Sequence, residues 1–419
     1  MTVCAKVEGA EPKETEAKTT GAIHKTNSPP AKRIFISTGE VSGDLHGSLL
    51  IDALQKRAAN TNITLDIAAL GGERMAATGV NMLGKTDAIG SIGLLEALPF
   101  IWSTYRVQQL AKRWLVDHPP DLIIMIDYLA PNLSIGNFAR QRFPKTPTVF
   151  YIAPQEWVWS LGSRNTSTLV SITDRLLAIF PKEATYYRER GANVTWVGHP
   201  LVDWVKRFPS RQEARQQLNI LDEQTAIALL PASRRQELTY LMPVIFETAQ
   251  RIQAQIPNAH FWIPLALDAY RPQIEQAIAQ YQLNATLVTD DTKAAIAAAD
   301  FAISKSGTVN LELALMDIPQ LVLYRVNPFT AWVAGNILNF SVPFVSPPNL
   351  VLMEPIVPEF LQNDANPETL TQTAMALLTD AEAQQTMRQN YARMRASLGA
   401  AGVCDRAAHS ILELLVSQS

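Results

Sequence analysis

Residues 33–57 read RIFISTGEVSGDLHGSLLIDALQKR, and how this stretch folds decides the architecture of the chain. The apolar run Ile34, Phe35, Ile36 has the composition of a buried strand, and SLLIDALQKR (48–57) that of a helix. Between them lie three glycines, Gly39, Gly43 and Gly47, and two acids, Glu40 and Asp44. A strand that turns into a helix is where α/β proteins hold anionic ligands, because the helix N-terminus offers free N–H groups and the positive end of a dipole. Carboxylates at such a turn oppose an anion, so this loop has some other task.

The same alternation continues outward. RIFIST (33–38), LDIAALGG (65–72), DLIIMID (121–127), TPTVFYIA (146–153), RLLAIF (175–180) and NVTWVG (193–198) alternate with helical patterns over 44–58, 73–79, 132–142 and 182–190. Continuous apolar strands separated by helices predict a parallel sheet covered on both faces. After a polar stretch at 206–224 the pattern restarts with AIALLPAS (226–233), HFWIPLAL (260–267), ATLVTD (285–290), FAISKS (301–306) and PQLVLYRV (319–326). Helices are expected between them over 236–255, 271–281, 291–299 and 308–316. The expected fold is therefore α/β, two Rossmann-like domains facing a central cleft. The expected division is a disordered tail (1–32), an N-terminal Rossmann-like domain (33–205), a C-terminal Rossmann-like domain (206–380) and C-terminal helices (381–419) that pack on the N-terminal domain or a partner subunit. Ligands of such folds bind outside the carboxyl ends of the strands.

A length of 419 residues exceeds what one hydrophobic core supports, in keeping with two domains. The 36 basic and 39 acidic residues leave a net charge of −3, so no global field recruits nucleic acid. Two cysteines, Cys4 and Cys404, exclude a disulfide framework and a Cys-rich metal site and point to a reducing, cytoplasmic compartment. Residues 1–32 mix Lys, Glu, Thr and Ala without an apolar run, a disorder composition with no signal-peptide core. Between Arg325 and Glu354 there is no charge, but the asparagines and prolines around FTAWVAGNILNFSVPFV (329–345) make it a poor spanning helix. It reads as a helix and loop that could touch a bilayer.

LLPASRRQE (229–237) places Ser233, Arg234 and Arg235 between a strand and a helix, and AISKSGTVNLE (302–312) repeats the arrangement with Ser306, Gly307 and Thr308. Either loop alone is explained by ordinary N-capping. Together they suit a nucleoside diphosphate, with Arg234 as forked phosphate donor and Glu312 as acceptor from ribose hydroxyls. Neither GxxxxGK[ST] nor GxGxxG occurs. Asp127 ends a buried strand, where a carboxyl serves either as a base of raised pKa or as the cap of the next helix. His199, in VGHPL (197–201), is structural or faces the ligand. Trp157 and Trp159 in IAPQEWVWS (152–160) are core residues or a platform for acyl chain or sugar. IGSIGLLEALPFIWSTYRV (89–107), followed by Lys112 and Arg113, is a buried helix or an interfacial one for lipid.

Eight segments in order, STGEVSGDLHGSLLIDAL (37–54), GGERMAATG (71–79), IGLLEAL (92–98), WVGHPLVD (196–203), LLPASRRQEL (229–238), SKSGTVNLELAL (304–315), YRVNPFTAWVA (324–334) and VSPPNL (345–350), resemble the lipid-A-disaccharide synthase family across roughly 33–415. The resemblance implies an inverting, metal-independent glycosyltransferase of the GT-B type, without cofactor. It would move diacylglucosamine from UDP-diacylglucosamine onto diacylglucosamine 1-phosphate, giving a β-1,6 disaccharide, at the inner face of the cytoplasmic membrane. It also implies Asp127 as base, Arg234 beside the UDP phosphates, and Ser306, Gly307, Thr308, Glu312 and Asn349 lining the nucleotide site. Glu40, Ser42, Gly43 and Asp44 fall in the family's first glycine loop, and C-terminal helices exchanged between subunits would make a homodimer.

Three segments differ from many members: DYLAPN (127–132) where they read DAPDFN, PASR (231–234) for PGSR, and APQEWVW (153–159) for SPSVWAW. The differences at 128–131 and 155–156 lie on the acceptor side. With UDP held by the second half, Glu40 and Asp44 are expected to hold sugar hydroxyls or position the attacking oxygen, with Asp44 alternatively an N-cap. Rival readings are another UDP-sugar enzyme of the same architecture, including a UDP-N-acetylglucosamine 2-epimerase, and a non-catalytic UDP-sugar-binding protein.

Overall fold

A computed structural model describes residues 31–86, 101–158, 163–232, 234–327 and 343–417. The expectations for residues 1–30, Ser233, Trp159 and the apolar segments 87–100 and 328–342 lie outside these residues.

The first half of the chain forms seven strands: β1 (Lys32–Ser37), β2 (Leu65–Gly71), β3 (Asn81–Lys85), β4 (Leu122–Ile126), β5 (Thr148–Tyr151), β6 (Arg175–Ala178) and β7 (Val194–Trp196). They form a parallel sheet in the order β3-β2-β1-β4-β5-β6-β7. The second half adds β8 (Thr225–Leu230), β9 (Ala259–Pro264), β10 (Ala285–Val288), β11 (Phe301–Lys305), β12 (Gln320–Tyr324) and β13 (Glu359–Leu361). These too are parallel, in the order β10-β9-β8-β11-β12-β13. Central strands are apolar on both faces because helices cover both. Every residue of β4, from Leu122 to Ile126, is fully buried, each side chain contributing about 2 kcal/mol.

The strand order reverses between β1 and β4 and again between β8 and β11, which leaves a crevice at each reversal. Glu40 and Asp127 follow β1 and β4; Arg234 and Ser306 follow β8 and β11. Topology thus assigns the four residues to the two switch points. Sequence periodicity misses β3 and β13, which are edge strands without a buried run. The helix expected over 236–255 is two, Arg235–Tyr240 and Met242–Gln255, broken at Leu241 ahead of Pro243, whose ring fits only the first turn of a helix.

The C-terminal helices divide between the halves. Ala381–Ser397 packs on the second half, where the Gln320 amide donates to the buried Tyr391 hydroxyl at 3.3 Å and Arg395 pairs with Asp317 at 2.7 Å. Val403–Val416 returns to the Glu40–Asn60 helix, burying Val403, Ala407, Ile411 and Leu415. Arg57 grips both Asp405 oxygens at 2.9 Å. Asp203 accepts the Gly402 and Cys404 N–H groups at 2.7 and 2.9 Å, satisfying the start of this helix. Residues 31–419 form one compact unit as a result. Among the described residues, no helix is long and apolar enough to cross a membrane.

Asp203→Ala removes both acceptors, and urea denaturation is expected to show a loss of about 1–2 kcal/mol. An unchanged midpoint would contradict the capping role.

Candidate active site

Four non-glycine residues with positive φ cluster at the carboxyl ends of the first sheet's strands: Glu40 (64°) after β1, Asp127 (48°) and Tyr128 (48°) after β4, and Ile152 (60°) after β5. Such backbone costs of order 1–3 kcal/mol per residue and persists only where the surroundings enforce it. Here the surroundings are hydrogen bonds. The Asp127 N–H donates to the Ile152 carbonyl at 3.0 Å, and the buried Asn132 amide donates to the carbonyls of Ile126 and Asp127 at 3.0 and 2.7 Å. Glu183, wholly buried, accepts the N–H groups of Ala153, Ile179 and Phe180 at 3.1, 2.8 and 3.0 Å. Its burial raises its pKa to about 8.

Asp127 does not cap the helix that follows, Leu129–Arg142, whose N-cap position is Tyr128. Desolvation of its carboxyl, reinforced by the charge of Glu40, raises its pKa to about 7. Glu40 reaches across to the second half, where its Oε2 lies 3.1 Å from Arg234 Nη2. One acid of the opening loop is therefore the counter-ion of the expected phosphate-binding arginine. Asp44 has a different task from the catalytic one expected of it. Its Oδ1 accepts from Gly72 and Met75 N–H at 2.8 and 3.0 Å, its Oδ2 from Arg74 N–H at 3.0 Å, and the residue is 4% exposed. Both oxygens are occupied, so Asp44 caps the short Glu73–Ala76 helix, not its own. Ser42 is half-buried on the same turn, and Gly43 is there for packing: a Cβ would lie 2.0 Å from Thr38 Oγ1. At Gly39 a Cβ would strike the Tyr128 ring at 2.3 Å, so the first loop and the Asp127 turn pack directly together.

In the second half, Arg234, Glu237, Lys305 and Ser306 line one narrow pocket. Glu237 Oε1 lies 3.2 Å from Lys305 Nζ and 3.9 Å from Arg234 Nη1, while its Oε2 accepts the Arg234 N–H at 3.0 Å. The loop donors expected to meet phosphate are committed elsewhere: the Ser306 hydroxyl donates to the Val345 carbonyl at 2.6 Å and the Gly307 N–H to Asn310 Oδ1 at 2.7 Å. Thr308 begins the helix Thr308–Leu315 beside them. Glu312, 8% exposed, accepts from the Trp204 indole N–H at 2.9 Å, and burial raises its pKa to about 6. Lys293 lies 4.3 Å from the centre of the Trp204 ring. The side chain of Asn349, expected to line the nucleotide site, is engaged within the protein. It accepts from Ile356 and Val357 N–H at 2.7 and 2.8 Å and donates to Val357 O and Glu359 Oε1 at 2.9 and 2.7 Å, which exhausts its capacity and fixes the loop.

His199 is likewise structural. It is 5% exposed, its Nδ1 accepts the Leu201 N–H at 3.2 Å, its ring packs on Phe180 and on His46, and burial holds its pKa well below the ordinary value. Glu156, one of the sequence differences, is buried and takes the Thr166 hydroxyl, away from the cleft. Trp157 packs on Phe180 within the core. Ala130, at the place of the absent aspartate, is exposed. Sequence reasoning missed Lys305, Glu237, Asn132 and Glu183. Only Glu237 and Glu183 carried a signal, each three residues after a helix start, the capping-box position. No group of three or more His, Cys, Asp or Glu able to hold a metal ion occurs among the described residues.

Asp127 and Glu183 bind protons more tightly folded than unfolded, since their pKa values rise from about 4 to about 7 and 8. Their stabilisation is complete below about pH 4 and is lost as pH rises through 7 to 8. Thermal melts should show Asp127→Asn gaining on the wild type at pH 8 but not at pH 5; equal melting differences at the two pH values would contradict the raised pKa.

Comparison with known proteins supplies the identity. The family model for lipid-A-disaccharide synthetase matches residues 34–413. A lipid-A-disaccharide synthase of Gloeothece citriformis is 54% identical over 91% of this chain and 99% of its own length, and that of Synechocystis sp. is 50% identical over 92% and 98%. Among solved structures, S. aureus MnaA with UDP (TM-score 0.64, 15% identity, 92% of this chain and 97% of that one) shares the fold. So does the UDP-GlcNAc 2-epimerase of Neisseria meningitidis bound to UDP-GlcNAc (TM-score 0.57, 14% identity, 92% and 100%). At such identities the likeness is one of fold alone. With its two parallel sheets, its cleft between switch points and half its residues shared with these synthases, the chain belongs to the lipid-A-disaccharide synthase family of glycosyltransferases.

Proposed function

We propose that this enzyme transfers 2,3-diacylglucosamine from UDP-2,3-diacylglucosamine to the 6-hydroxyl of 2,3-diacylglucosamine 1-phosphate, with inversion and without a metal. The observation that carries the mechanism is Asp127, a desolvated carboxyl with a pKa of about 7 at the switch point of the first sheet. The acceptor oxygen attacks the anomeric carbon from the face opposite UDP, its proton passes to Asp127, and the bond from that carbon to the phosphate oxygen breaks with its electron pair leaving on UDP. A base poised near the working pH accepts this proton most effectively. Arg234 is suited to the charge that develops on the diphosphate, and Glu312, bonded to Trp204 at the end of the first half, to the ribose.

Both substrates carry acyl chains, and the Ile101–Asp117 helix supports a membrane-facing surface. Trp102, Tyr105 and Leu110 on it are 70%, 54% and 51% exposed. On this reading the enzyme works peripherally at the inner face of the cytoplasmic membrane. A homodimer by exchange of the Val403–Val416 helix is supported by the short link before it, in which Gly399 and Gly402 have φ near 87° and 86°.

With UDP-diacylglucosamine and diacylglucosamine 1-phosphate, UDP release should rise with pH to a plateau above about 7, because protonated Asp127 cannot accept a proton. Asp127→Asn should lower turnover by about 10²- to 10⁴-fold while leaving UDP affinity intact. Wild-type turnover in a mutant that still binds UDP would remove Asp127 from the chemistry.

A further inference from the structure

The nucleotide pocket holds a second cation that the family resemblance does not explain. Lys305 ends β11, and its side chain is 13% exposed. Its ammonium group lies directly over the backbone of Gly307, where a Cβ would meet Nζ at 3.0 Å. The position is thus immediately ahead of the Thr308–Leu315 helix, on the positive side of its dipole. A lone lysine is unfavourable there because burial and the neighbouring Arg234 both oppose its charge, and its pKa is lowered accordingly. What retains the charge is Glu237, 3.2 Å away and itself 8% exposed, which also faces Arg234.

Arg234 and Lys305, which line this pocket together with Arg325, are each matched by an internal carboxylate, an arrangement that a nucleoside diphosphate can take over. Glu40 neutralises Arg234 and Glu237 neutralises Lys305. The diphosphate brings two or more negative charges to a place where the Ser306 hydroxyl and the Gly307 N–H are already committed, so the cations must supply most of the attraction. Glu237 can release Lys305 without unfolding the loop, because its other oxygen keeps the Arg234 N–H.

We propose that Lys305 is a phosphate-binding residue of the donor site, held ready by Glu237 and exchanged from that carboxylate to a diphosphate oxygen when a nucleoside diphosphate binds. This rests on the reading of the second half as the UDP-sugar site. It adds a residue to the recognition of the donor and predicts that Glu237 competes with the ligand.

Calorimetric titration of uridine, UMP and UDP into the full-length wild type, Lys305→Met, Glu237→Gln and the double variant tests this. Lys305→Met should weaken UDP by about tenfold or more, the size of a lost charge-assisted contact, and leave uridine unchanged. The uridine arm also reports that the variant is folded. Glu237→Gln, which keeps an acceptor for the Arg234 N–H, should tighten UDP. The double variant should remain as weak as Lys305→Met. Equal UDP affinity in wild type and Lys305→Met would overturn the assignment. So would recovery of wild-type affinity in the double variant, which would make Lys305 only the neutraliser of Glu237. A wild type that binds no UDP at all would instead defeat the nucleotide-site reading beneath it.

Discussion

The charge of Glu40 is felt on both sides of the cleft. Its carboxylate pairs with Arg234 of the second half and, across the first sheet's switch point, helps to hold Asp127 protonated up to about pH 7. A like charge near a buried carboxyl raises its pKa, which is what Glu40 does to Asp127. The geometry thus gives the two carboxylates different surroundings, one paired with an arginine and one desolvated and able to exchange a proton near neutrality. On the proposed reading this accounts for Glu40 at a turn where an anion would otherwise sit: the phosphate chemistry falls to the other half, and Glu40 addresses the base, while Asp44 is spent on three N–H groups.

The backbone is arranged to keep that difference. Positive φ at Glu40, Asp127, Tyr128 and Ile152 turns the chain sharply where it leaves β1, β4 and β5. Buried polar groups hold these turns in place: Asn132 on the carbonyls of Ile126 and Asp127, and Glu183 on three N–H groups that include that of Ala153, while Asp44 fixes the neighbouring Glu73–Ala76 helix. In the second half Asn349 and Glu359 do the same for the loop at 345–359. The polar residues of these glycine-rich and strand-end motifs divide between a few that face the cleft and a larger number that fix their positions.

This division explains what could be read from sequence. The fold was legible because continuous apolar strands such as DLIIMID leave little alternative to a parallel sheet, and because the pattern breaks and restarts once. Edge strands β3 and β13 escaped because an edge needs no buried run. Asp127 and Arg234 were legible as polar residues at strand ends, and the structure brings both to the charge of Glu40. Asp44, His199 and Asn349 were not separable from them, because a buried cap and a ligand contact use the same residue types at the same loop positions. Whether a carboxylate meets a sugar or three N–H groups depends on neighbours 28 to 31 residues away, as Asp44 shows with Gly72 and Met75. Lys305 was passed over for the reverse reason: a lysine in a strand reads as solvated, and only the partner Glu237 reveals that it is not.

The account turns on the proton of Asp127, and that proton can be read directly. Infrared spectra of protein carrying ¹³C at its aspartate carboxyls, taken as the difference between wild type and Asp127→Asn, isolate the protonated carbonyl band of this residue. The account predicts that the band persists through pH 5 and is lost about pH 7 in the wild type, and that Glu40→Gln moves its loss to lower pH. A band that titrates at the ordinary aspartate value of about 4, or one indifferent to Glu40, would contradict it.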